Sequence, residues 1–154
     1  MSSMGQYQVG QYRDQVISFR LKNTLLAVSI LDIREIIPMT PVTPIQKAPD
    51  HVAGFINLRG RVMTILDIGV LLNFPPLEPT ANTHMILLKH QNVGFWVDGI
   101  GDVITPGAGE IRPAPSRGGS GFQEWTHHVI RLPREVVPVL DILSLLSSIT
   151  ETCP

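Results

Sequence analysis

Apolar and polar residues first alternate strictly at Ile17-Ser18-Phe19-Arg20-Leu21-Lys22. That period of two predicts a half-buried strand. Asn23-Thr24 can turn the chain, and the apolar run 25–30 then predicts the second arm of a hairpin. Ile33, Ile36 and Ile37 fit either a short helix or a bent strand, and their spacing does not separate the two. Pro38, Pro41, Pro44 and Pro49 mark a loop, because proline lacks the N–H that a central strand needs. Residues 55–58 and 62–66 flank Arg59-Gly60-Arg61 as a second hairpin, with Gly60 best able to adopt a positive φ. Asp67 is placed to N-cap a short helix ending near Asn73, which Pro75-Pro76 stop.

Residues 84–90 and 93–104 predict a third hairpin, turned at Gln91-Asn92. A long Gly/Pro/Ser loop follows over 105–123, centred on Gly118-Gly119-Ser120-Gly121. Residues 129–132 and 136–140 predict a last hairpin around Pro133-Arg134-Glu135, and Asp141 opens a terminal helix through about residue 149.

The pattern repeats. Residues 62–72 and 136–146 agree at six of eleven aligned positions, including Leu66-Asp67-Ile68 and Leu140-Asp141-Ile142. Ile56-Asn57-Leu58 falls on Ile130-Arg131-Leu132 at the same offset of 74, and Glu35-Ile36-Ile37 is echoed by Asp102-Val103-Ile104. A unit near 70 residues is too long for a solenoid and suits two like-built small β-barrels. The expected fold is therefore mainly β, with short helices that include a C-terminal one.

Composition narrows the function classes. Of 154 residues, 44% are hydrophobic and 16% charged, which excludes a chain too polar to fold. The formal net charge is −1, so no basic field draws in nucleic acid or acidic lipid. The longest apolar stretch, 62–74, is about 13 residues and carries Asp67, against the roughly 20 that a membrane span needs. Cys153 is the single cysteine, which rules out an internal disulfide or a cysteine zinc cluster and fits a reducing cytoplasm.

Catalytic constellations are sparse. Gly99-Ile100-Gly101 lacks the third glycine and the βαβ setting of a dinucleotide site, since Ile104 stands where that glycine belongs. The run at 118–121 is not followed by the Lys-Ser/Thr of a phosphate loop. His84 and His90 would lie about 20 Å apart on a strand, too far to share a metal. His127, His128 and Asp141 are the remaining candidates for a small metal-dependent hydrolase, but Asp67 and Asp141 read as paired N-caps. The expectation is a protein without catalytic residues, metal or cofactor. Phe19, Phe55, Phe95 and Trp96 sit in strand-like runs, where packing explains them. Arg59 and Arg61, by contrast, place two guanidinium groups on a tight turn between apolar strands. Arg59 in that position is suited to bind a partner's carboxylate or helix end.

Gly54-Phe-Ile-Asn-Leu-Arg-Gly60, preceded by Ala48-Pro49 and followed by Val62-Met-Thr-Ile-Leu-Asp67, resembles the signature segment of the CheW family. Ile33-Arg-Glu-Ile36 and Gly94-Phe-Trp-Val-Asp98 fall where that family has its V-x-E-I and G-L-x-V-D segments. The likeness spans about 14–148. It implies two five-stranded, SH3-like β-barrel subdomains packed on a shared hydrophobic core, in one domain over 14–149, with tails at 1–13 and 150–154. It also implies a cytoplasmic, non-catalytic adaptor that couples the tips of methyl-accepting chemoreceptors to a CheA-type histidine kinase through the kinase's regulatory domain. A non-flagellar chemosensory pathway is the alternative setting. The partner-binding residues so implied are Arg59, Glu35, Asn57, Gly60, Ile33 and Gly54. The chain departs from the family at Thr64-Ile65, where Pro-Val/Ile is common, and at Gly69, where an arginine often stands.

Overall fold

The computed structural model describes residues 15–89, 91–107, 110–114 and 121–152. The expected tail 1–13, His90, Gly118-Gly119-Ser120 and Cys153 fall outside the described residues. The chain divides into two compact units. One takes the chain through Ser18, Leu25–Ile30 and the part from Asp102 onward; the other takes Phe19–Thr24 and Leu31–Gly101.

Among the described residues, eleven strands form two sheets. β1 (Val16–Leu21), β2 (Thr24–Ser29), β8 (Gly99–Ile104), β9 (Ile111–Pro113), β10 (Thr126–Arg131) and β11 (Val136–Leu140) make a six-stranded sheet of order β8-β1-β2-β11-β10-β9. β3 (Ile33–Pro38), β4 (Val52–Leu58), β5 (Arg61–Leu66), β6 (His84–Leu88) and β7 (Val93–Val97) make a five-stranded sheet of order β3-β6-β7-β5-β4. Among the described residues, two short α-helices, α1 (Ile68–Leu71) and α2 (Ile142–Thr152), follow β5 and β11. The ambiguous stretch at Ile33 is a strand, entered through a single 3-10 turn at Ile30–Asp32.

The repeat read from sequence is a repeat of topology. Strand order β3-β6-β7-β5-β4 is matched by β8-β1-β2-β11-β10, with the N-terminal hairpin standing where β6–β7 stands in the other sheet. β5 runs parallel to β7, and β11 parallel to β2. The bulge in β4 falls between Val52 and Gly54, and that in β10 between Thr126 and His128, the same offset of 74 apart. The Asp67 N–H donates to the His51 carbonyl at 2.7 Å, and the Asp141 N–H to Trp125 at 2.8 Å, again 74 residues on. Each unit has its own apolar cluster: Ile56, Met63, Ile65, Met85, Leu87 and Trp96 in one, and Val16, Ala27, Ile130, Val137 and Val139 in the other.

Four expectations change. The run 93–104 is not one strand: it bends at Asp98, whose N–H donates to the Arg20 carbonyl at 2.9 Å and whose carboxylate accepts the Lys22 N–H at 2.5 Å. Arg61 belongs to β5, so the β4–β5 turn has two residues rather than three. The loop 105–123 contains β9, held by β10, and leads into a 3-10 turn at Gly121–Trp125. The terminal helix continues to Thr152, past the expected end of the domain.

The paired caps also separate. Asp141 is an N-cap: its Oδ1 accepts the Ser144 N–H at 3.2 Å, and the Ser144 hydroxyl donates to Oδ2 at 2.7 Å. Asp67 makes no side-chain cap bond to α1. Its Oδ2 instead accepts the Leu77 N–H at 2.9 Å and pins the connector 73–83 where Leu77 enters the core. Helix α1 is ended by Asn73 at φ +68, with the Phe74 N–H reaching back to Gly69 at 2.8 Å and the Asn73 N–H to Val70 at 3.2 Å. That is the left-handed C-terminal closure that asparagine tolerates. Because Asp67 satisfies a buried N–H, Asp67→Ala should cost about 1–3 kcal/mol while Asp67→Asn, which retains a carbonyl acceptor, costs less. Urea unfolding of the two variants checks this.

Candidate functional site

The β4–β5 hairpin builds the site. Leu58 pairs with Arg61, leaving Arg59 at φ +51 and Gly60 at φ +84 as the two turn residues. Two successive positive φ values define the turn whose twist matches that of the strands it joins. The Asn57 Oδ1 accepts the Gly60 N–H at 3.0 Å. The Arg59 Nη2 donates to Glu35 Oε1, closing an ion pair between the β4–β5 turn and β3. β3 and β4 are the two end strands of the five-stranded order, so this pair ties the two ends of one sheet together. The Arg59 side chain remains 68% exposed, against 30% for Glu35. An ion pair so placed contributes at most about 1 kcal/mol to stability.

Four of the six residues singled out from sequence therefore meet at one exposed corner: Glu35, Asn57, Arg59 and Gly60. Ile33 opens β3 opposite Leu88, half-buried and separated from Glu35 by a bulge at Arg34. Gly54 does not join them. It is buried at φ +148, and a β-carbon there would stand 2.2 Å from the Thr43 carbonyl oxygen, so its role is clearance rather than contact. Arg59, read from sequence as a free donor, is already paired within the chain.

Sequence reasoning missed Val62. It pairs with Asn57 across the hairpin and is 55% exposed, an apolar side chain beside the charged corner. It was hidden in the largely apolar stretch 62–74, in which its strand neighbours Met63, Ile65 and Leu66 are buried in the core. Its counterpart 74 residues on, Val136, is 53% exposed beside Arg131.

The second candidate cluster is smaller. His127 Nε2 lies 3.5 Å from Asp141 Oδ2, with His127 standing in the β10 bulge. Desolvation by burial, and secondarily the His127 charge, lower the His128 pKa below the ordinary 6.5. Trp125, Leu143, Ser144, Ser147 and Ser148 line an adjacent open groove of about 410 Å³. Among the described residues, no three His, Cys, Asp or Glu side chains gather as a metal site. Asp141 acts as a helix cap, so Asp141→Ala should cost about 0.5–2 kcal/mol and Asp141→Asn much less. Thermal unfolding of both variants measures the difference.

The sequence model of the CheW-like domain matches residues 15–150. The chain belongs to the CheW family. The chemotaxis protein CheW of Rhizobium meliloti (strain 1021) is 31% identical over 137 residues, covering 87% of this chain and 88% of its own. That of Klebsiella aerogenes is 33% identical over 150 residues, covering 96% and 89%. The crystal structure of the scaffolding protein TtCheW from Thermoanaerobacter tengcongensis superimposes with a TM-score of 0.75 at 20% identity, over 83% of this chain and 88% of that one. The two-sheet, mainly β fold is thus the CheW fold, and the chain is a chemotaxis coupling adaptor.

Proposed function

We propose that this adaptor joins the cytoplasmic tips of methyl-accepting chemoreceptors to the regulatory domain of a CheA-type histidine kinase, without catalytic activity of its own. The observation that carries the reading is the extent of the family match, residues 15–150. The Arg59–Glu35 corner supports it by offering exposed charge-assisted donors beside exposed Val62. Such a mixture of an apolar centre and an arginine is typical of protein interfaces. The cytoplasm is the compartment in which those partners are met. Among the described residues no helix is long and apolar enough to cross a membrane.

Arg59, Glu35, Gly60 and Ile33 constitute the proposed partner-binding region, with Asn57 inside it bonded to the turn. The exposed aliphatic side chains available to the kinase regulatory domain include Leu31, Ile45 and Val62 in one unit and Val103, Val136 and Leu143 in the other. With a net charge of −1, an interface built on these should be mainly hydrophobic and lose little affinity between low and high salt. Calorimetric titration with the kinase regulatory domain, and separately with a receptor-tip fragment, tests the proposal. Binding of both supports it; binding of neither overturns it, and steep weakening of the kinase contact in salt overturns the hydrophobic account of that interface.

A further inference from the structure

We propose that Asn57 is a positioning residue: it holds the Arg59–Gly60 turn and thereby sets the Arg59 guanidinium, rather than meeting a partner itself. The inference rests on the reading of the Arg59 corner as a partner surface. Arg59 carries a β-carbon yet sits at φ +51, a region that asparagine, aspartate and glycine enter more readily. Something must favour that turn over its competitors. The Leu58–Arg61 pair closes the ladder, and the Gly60 N–H, between them, points to no ladder carbonyl. The Asn57 Oδ1 accepts it at 3.0 Å. That bond forms only when the Gly60 amide is turned back toward β4, the orientation in which Arg59 reaches Glu35 on β3.

The other unit supplies an internal comparison. At the place of Asn57 it has Arg131, which has no acceptor, and at the place of Arg59 it has Pro133. Its turn contains no positive-φ residue. An acceptor at the first position and a left-handed arginine two residues later occur together, and both are missing together.

The test measures affinity for the receptor-tip fragment and the kinase regulatory domain in Asn57→Ala, Asn57→Asp, Arg59→Ala and the Asn57→Ala/Arg59→Ala double variant. Gly60 amide exchange is followed by NMR in the free protein. Asn57→Ala should weaken whichever partner Arg59→Ala weakens, by about tenfold, the scale of one net hydrogen bond. Asn57→Asp, which keeps an oxygen acceptor, should recover most of that loss. Added to Arg59→Ala, the Asn57→Ala change should do nothing further, because residues acting through one another are not additive. Gly60 exchange should rise in Asn57→Ala and return toward the native rate in Asn57→Asp. Additive losses would place Asn57 in direct contact with the partner and overturn the proposal, as would failure of aspartate to rescue or unchanged Gly60 exchange. If Arg59→Ala leaves both affinities intact, the corner is not the partner surface; the Gly60 exchange then still decides whether Asn57 holds the turn.

Discussion

Gly54→Ala should destabilise the protein by about 2–6 kcal/mol, combining backbone strain with overpacking. Gly54 is at φ +148, where a side chain is strained whatever the space. The space is also missing: the added carbon would stand 2.2 Å from the Thr43 carbonyl oxygen and 2.6 Å from Val42 Cγ1. Neither can retreat easily, because Thr43 and Phe55 exchange two backbone hydrogen bonds of 2.9 Å across that point. A domain of this size has only about 5–15 kcal/mol in total, so the loss is a large part of it. Gly60→Ala is the control. No heavy atom lies within 4 Å of its β-carbon position, so only the cost of φ +84 remains, about 1 kcal/mol. Urea unfolding of both variants should place Gly54→Ala far below Gly60→Ala. Equal losses would refute the close-approach account.

Arg59→Asn should have the largest effect on binding and almost none on folding. Asparagine followed by glycine is the favoured pair for a two-residue hairpin turn, so the backbone at Arg59 and Gly60 is relieved rather than strained. The lost ion pair to Glu35 is exposed and contributes at most about 1 kcal/mol. Stability should therefore stay within about 1 kcal/mol of the native protein. Affinity for the partner that uses the corner should fall by about ten- to a hundredfold, the equivalent of a charge-assisted hydrogen bond at about 1.5–3 kcal/mol. Thermal unfolding and titration of the same preparation measure both. Lost stability with retained affinity would make Arg59 a structural residue.

The hairpins and the internal repeat were legible because they depend on short-range patterns: period-two alternation at 17–22, a glycine at the β4–β5 turn, and the recurrence of Leu-Asp-Ile. The repeat even extends to backbone detail, with bulges and Asp N–H bonds at equivalent places. What was not legible depends on partners distant in sequence. Asp67 and Asp141 sit in the same tripeptide, yet one is captured by Leu77 from the connector and the other finds Ser144 in its own helix. β9 has only three residues and exists by pairing with β10. Arg59 looked unattached because Glu35 lies 24 residues earlier and is brought to it by closure of the sheet ends. Val62 looked like core because it opens the largely apolar stretch 62–74, and only the pleat decides which side chains face out.

The coupling account is tested most directly by kinase autophosphorylation in the presence of receptor-bearing membranes, with and without this chain. Receptors should raise the kinase rate, and attractant should suppress it, only when the chain is present, with Arg59→Asn failing to replace it. Equal receptor control of the kinase with and without the chain would contradict the account.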